Sequence, residues 1–177
     1  MKSRARILGH PIHPMVMIFP AGLLLTATIF DIIALITENP IFSMLGFWNI
    51  TAGIIGGLIA AIPGVIDWMA IPDGTRAKTI GLWHGGGNIL NIVLFAVVWL
   101  LRLGMPGYSP AGLPIVLQIV GIALLGVTGW LGGELVDRHG VGVDPGANLN
   151  SPNSLSGKPA DANQSGTERL QEREAVG

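Results

Sequence analysis

The sequence predicts an all-α integral membrane protein, a four-helix bundle followed by a disordered C-terminal tail. Three observations predict it: an apolar composition, four long apolar runs, and a polar C-terminal segment without periodicity. Of the 177 residues, 50% are hydrophobic and 12% are charged, with a mean hydropathy of +0.58. A soluble domain carries about 25% charged residues. Nearly all the charge lies before position 14, between 67 and 78, and after 133. One domain accounts for this length.

A bilayer core of about 30 Å needs about 20 apolar residues in a helix. Four stretches meet that need: Met15–Thr37, Ser43–Ile66, Ile80–Leu103 and Gly112–Leu135. The first follows the basic segment Met1–Arg6, as the core of a signal peptide would. It is longer than a signal core, contains Pro20 and lacks a small-residue cleavage site, so it is expected to be a retained helix. The transmembrane domain is expected to occupy residues 1–143 and the tail residues 144–177. The tail is rich in Asn, Ser, Gly and Pro and cannot bury enough surface to order itself. Within it, Thr167–Ala175 is expected to form a transient helix at most. The sequon Asn163-Gln164-Ser165 has no role in a cytoplasmic tail.

Four spans put the N-terminus, the 67–79 loop and the tail on one side. That side carries Lys2, Arg4, Arg6, Arg76, Lys78 and Arg138, and the other only Arg102. The positive-inside rule makes it the cytoplasmic side, so both termini are expected inside a cytoplasmic (inner) membrane. Asp31 lies in the outer half of the first span and Arg102 near the same membrane end. Pairing would neutralise both. Gly53, Gly56 and Gly57 on the second span, and Gly121, Gly126, Gly129, Gly132 and Gly133 on the fourth, allow close helix packing. The alternative is room for a flat cofactor.

With a net charge of −1 there is no electrostatic footprint for nucleic acid. With no cysteines there are no disulfides, thiolate metal sites or covalently attached haem. No phosphate loop, nucleotide fingerprint or Ser-His-Asp arrangement is present. The chemistry therefore rests on four histidines, His10, His13, His84 and His139, all at the expected cytoplasmic face with Asp67, Glu134 and Asp137. A weak repeat supports the grouping: His13 and Asp67 are 54 positions apart, His84 and Asp137 53. Imidazole is a common ligand for haem iron, copper and zinc. In a haem b reading His84, followed by Gly85, Gly86 and Gly87, is one axial ligand. His13 or His10, held in the proline-bounded stretch His10-Pro11-Ile12-His13-Pro14, is the second, with His139 in reserve. Asp67, Glu134 and Asp137 would orient the ligating rings. The alternative is a zinc or copper site from His10, His13, His84 and Asp67.

The stretch Gly9-His10-Pro11-Ile12-His13-Pro14 with Phe19-Pro20 and Gly22-Leu23 resembles the opening of a bacterial membrane family, domain of unknown function 2231. Asp67-Trp68, Ile71-Pro72, His84 and Asn88 resemble its central signature. Gly132-Gly133, Leu135-Val136 and His139-Gly140-Val141-Gly142-Val143 resemble its closing one, so the likeness covers about residues 7–143. Some members are joined to Rieske-type or other redox modules, and by analogy the resemblance implies a redox setting. The leading expectation is thus electron transfer through a histidine-held haem b or metal at the cytoplasmic face, with a redox partner protein. The alternatives are a non-redox structural subunit or small transporter, and a membrane metallohydrolase.

Overall fold

The computed structural model describes residues 1–163; the expected Thr167–Ala175 helix and most of the sequon lie outside them. Four long helices dominate: α1 (Ile12–Thr37), α2 (Pro40–Met69), α3 (Arg76–Leu103) and α4 (Leu113–Asp137). All four are long and apolar enough to cross a membrane. A two-residue-per-strand ribbon, β1 (Arg6–Ile7) and β2 (His10–Pro11), precedes them, pairing Arg6 with Pro11 and Ile7 with His10. Leu8 and Gly9 turn it with φ of 49° and 85°, the left-handed pair a two-residue hairpin loop requires.

Local chemistry sets the helix ends. The Asn39 side chain accepts from Ile41 N at 3.0 Å, and Pro40 opens α2 where its missing N–H costs nothing. The Thr75 hydroxyl accepts from Lys78 N at 3.2 Å and starts α3. α1 begins at Ile12, earlier than the apolar run suggests, so His13 sits in its first turn.

The bundle is apolar on the outside. Ile18, Phe19, Leu58, Ile62, Trp83, Ile89, Leu100 and Trp130 are all exposed, as lipid contact requires and water does not tolerate. The interior core is small: Leu24, Ala27, Ile50, Phe95 and Val98. Glycines bring backbones together. A Cβ on Gly53 would lie 2.5 Å from Leu24, and one on Gly57 3.1 Å from Ile92. Gly126, Gly129 and Gly133 meet nothing within 4 Å. Close packing thus explains the α2 glycines and only part of the α4 set.

The membrane end opposite the N-terminus is closed by the expected ion pair. Arg102 donates to Asp31 through Nη1 at 2.5 Å and Nη2 at 2.9 Å, to the Ser43 carbonyl at 2.7 Å and to the Tyr108 carbonyl at 2.9 Å. Both charged side chains are fully buried. Four elements are therefore tied by one guanidinium. Gly46 packs directly on the Asp31 carboxylate, leaving no room for a Cβ. Phe47 stacks on Tyr108, ring centroids 4.1 Å apart, and roofs the pair.

Removing one partner of a buried pair strands the other charge, at a cost of about 3–5 kcal/mol. Asp31→Ala and Arg102→Ala are each expected to lower the unfolding midpoint sharply in detergent. The double variant should be less destabilised than the sum. Additive losses in the double-mutant cycle would show that the two side chains do not act as a pair.

Candidate functional site

The antiparallel bundle places the starts of α1 and α3 and the ends of α2 and α4 at one membrane end. His13 and His84 meet there. Their ring centroids are 6.2 Å apart and the rings are nearly perpendicular, at 88°. Each hairpin contributes one ring, held in the same way. His13 Nδ1 lies 2.9 Å from the Ala60 carbonyl on α2. His84 Nδ1 lies 2.7 Å from the Thr128 carbonyl on α4. A carbonyl only accepts, so both Nδ1 atoms carry the proton and donate it. Nε2 is then left with a lone pair on each ring.

The local sequence explains why these carbonyls are reachable. Residues i and i+4 share a helix face, and the residue four on is glycine both times. A Cβ at Gly64 would come within 2.9 Å of the His13 ring, and one at Gly132 within 3.0 Å of the His84 ring. Pro63 also lacks the N–H that would tighten α2 at this level. The internal repeat is therefore keyed to a histidine, a carbonyl and a glycine.

Around His84 the network continues inward. Asn88 Nδ2 lies 3.3 Å from His84 Nε2, and Thr128 Oγ1 donates to Asn88 Oδ1 at 3.1 Å. Gly87 packs on Thr128, whereas Gly85 and Gly86 meet nothing within 4 Å. Asn88 and Thr128 were not singled out by chemistry in the sequence. For Asn88 the signal is the polar face 84, 88 and 91 of α3.

The remaining candidates lie elsewhere. Asp67 binds the N-terminal segment, accepting from Ser3 Oγ at 2.8 and 2.9 Å, Arg4 N at 2.7 Å and Ala5 N at 3.1 Å. His10 is exposed, its Nε2 3.2 Å from Ser154 Oγ. His139 follows α4, and its buried Nε2 has no hydrogen-bond partner among the described residues. Glu134 and Asp137 line a surface groove of about 190 Å³ with Trp130, Gly133 and Arg138; neither hydrogen-bonds a histidine among the described residues. No three of the His, Asp and Glu side chains in the described residues come together as a metal site.

The N-terminus and the segment after α4 form a cap at this end. The Met1 amino group donates to Gly140 O at 2.6 Å, Gly142 N donates to Met1 O at 2.8 Å, and Lys2 bridges to Gly142. Residues 144–163 have no regular structure beyond the turn Ser154–Ser156, but they pack on the ribbon. Gly9 approaches Ser154, and Arg6 Nη1 donates to Asp144 Oδ1 at 2.7 Å. The Arg6 hydrogen bond lowers the Asp144 pKa, with smaller help from the Arg6, Lys2 and His10 charges.

The fold is thus that of a multi-pass membrane bundle with a paired-histidine centre at one end. The chain belongs to a family described as predicted membrane protein (DUF2231), whose model matches residues 9–145. No curated protein and no solved structure matches the chain.

Two predictions follow from this geometry. Overpacking costs about 1–3 kcal/mol, so Gly64→Ala and Gly132→Ala should each lower the unfolding midpoint, whereas Gly133→Ala should not. Equal effects at all three positions would contradict the ring-on-glycine packing. Asp144 has a depressed pKa, so its tie to Arg6 is complete above its unfolded value of about 3.9 and is lost as pH falls through the folded value. Corrected for intrinsic exchange, amide protection in residues 6–11 should fall on acidification through that range, and Asp144→Asn should lower it already at neutral pH.

Proposed function

We propose that His13 and His84 are the protein ligands of a haem b, and that the protein transfers electrons at the cytoplasmic face of the inner membrane. One observation carries the reading: both rings donate Nδ1–H to a backbone carbonyl. This is the arrangement that orients ligating imidazoles and leaves Nε2 to bind. The two rings, one from each hairpin and 6.2 Å apart between centroids, would hold the haem iron.

A haem so held supplies one-electron chemistry when bound. The chain's own part is to fix the two rings, set their tautomer and present them near the membrane surface to a redox partner protein. Zinc is a poorer match, because a zinc site needs at least three protein ligands. His10, His139 and Asp67 are engaged or placed elsewhere, which also weakens the metallohydrolase reading. The basic residues at the end holding the N-terminus and the α2–α3 loop support a cytoplasmic orientation.

A second reading, a non-redox subunit or transporter, has one observation in its favour. Asn88 lies against His84 Nε2, so that lone pair has a hydrogen-bond partner without any metal. The test separates the two. Purified in mild detergent, the protein should show a sharp reduced α-band with dithionite, absent in His84→Ala and in His13→Ala. A colourless protein with stoichiometric zinc would replace haem with a metal site. A colourless, metal-free protein from haem-supplemented cells would leave the subunit or transporter reading.

A further inference from the structure

The two histidine rings sit inside the end of the bundle rather than at its rim. His13 packs at Gly64 and His84 at Gly132, while α2 runs on to Met69 and α4 to Asp137. α1 has no such extension, because it starts at Ile12, beside His13. The residues before it fold back over that corner. Ile12 N donates to Ala5 O at 2.8 Å, which sets Ala5 against the first turn of α1. Asp67 then takes hold of three residues in a row, accepting from Ser3 Oγ, Arg4 N and Ala5 N. Asp67 is three residues past Gly64, so it shares that face of α2 and lies about 4.5 Å nearer the helix end.

The other end of the segment is fixed on α4. Val141 N donates to the carbonyl of Leu135, three residues past Gly132, and Gly142 N donates to the Met1 carbonyl. Lys2 bridges to Gly142. α1 and α3 each pack against both α2 and α4, so α2 and α4 face each other across a diagonal. A segment fixed to both crosses the end of the bundle. The rings of His13 and His84 come from the other diagonal and meet about one turn beneath the two anchors. Ser3, between the anchors, is 5% exposed.

We propose that residues 1–5 are a strap closing the paired-histidine centre to water, and that Asp67 is its latch. The strap belongs to no helix or strand beyond the Lys2 bridge, so it has no cooperative unit of its own to keep it in place. Segments held by so few contacts open far more readily than the helices beneath them. Hydrogen bonds to a carboxylate are stronger than those between neutral groups, and here they converge on one side chain. Loss of that single carboxylate therefore frees Ser3, Arg4 and Ala5 together. The proposal concerns access to the two rings and holds whether or not they carry a haem.

Diethyl pyrocarbonate, which modifies neutral imidazole, tests it on the full-length protein in mild detergent at pH 8, with peptide mass spectrometry reading each histidine. Haem is withheld during synthesis, so the outcome does not depend on the haem reading. His10, exposed on the ribbon, is the internal standard. His13 should react severalfold more slowly than His10 in the native protein. In Asp67→Ala the His13 rate should rise severalfold while the His10 rate stays the same. A native His13 that reacts as fast as His10 would overturn the proposal. So would an unchanged His13 rate in folded Asp67→Ala. Should that variant fail to fold, a chain lacking residues 2–5 takes its place: it removes the strap, leaves every helix intact, and must show the same rise.

Discussion

The end of the bundle that holds the N-terminus and the end of α4 is organised by two hydrogen bonds, His13 Nδ1 to the Ala60 carbonyl and His84 Nδ1 to the Thr128 carbonyl. Hydrocarbon offers an imidazole no other partner, so the ring must bond within the protein or stay outside. A helical carbonyl can accept a second hydrogen bond, but only where the next turn does not cover it. Gly64 and Gly132 keep that turn open. The clamp thus couples three features: the closure of each hairpin, the ring orientations and the tautomer. Together they fix which nitrogen faces outward.

The opposite end answers the same constraint with charges. Asp31 and Arg102 lie in helices from different hairpins, and Ser43 and Tyr108 complete the guanidinium shell. The hairpins are therefore joined by an ion pair at one end and meet through two imidazoles at the other. Between them sits the small apolar core around Phe95. The lipid-facing surface needs no such specificity, and its residues are large, apolar and exposed.

Much of this was legible in the sequence. Hydropathy alone locates four helices, because a spanning segment must be long and apolar. The Asp31–Arg102 pair was legible because two opposite charges at one depth have no cheaper arrangement. The common face of His13 and His84 followed from counting spans. The detail was not legible. Asp67 reads as a metal or haem neighbour by proximity, yet it binds Ser3, Arg4 and Ala5; a short N-terminal segment gives no hydropathy signal of where it folds back. His10 is separated from His13 by the turn into α1, and no periodicity reports that turn. Gly64 and Gly132 looked like any other glycines, since the carbonyl each exposes is backbone and leaves no trace in the side-chain pattern.

The central claim, that both rings are held through Nδ1–H, is read most directly by ¹⁵N NMR of histidine-labelled protein in detergent at neutral pH. His13 and His84, assigned by single substitution, should each show a protonated Nδ1 and an unprotonated Nε2. That is opposite to the tautomer free imidazole side chains favour. A protonated Nε2 on either ring would contradict the clamp and the ligand geometry drawn from it.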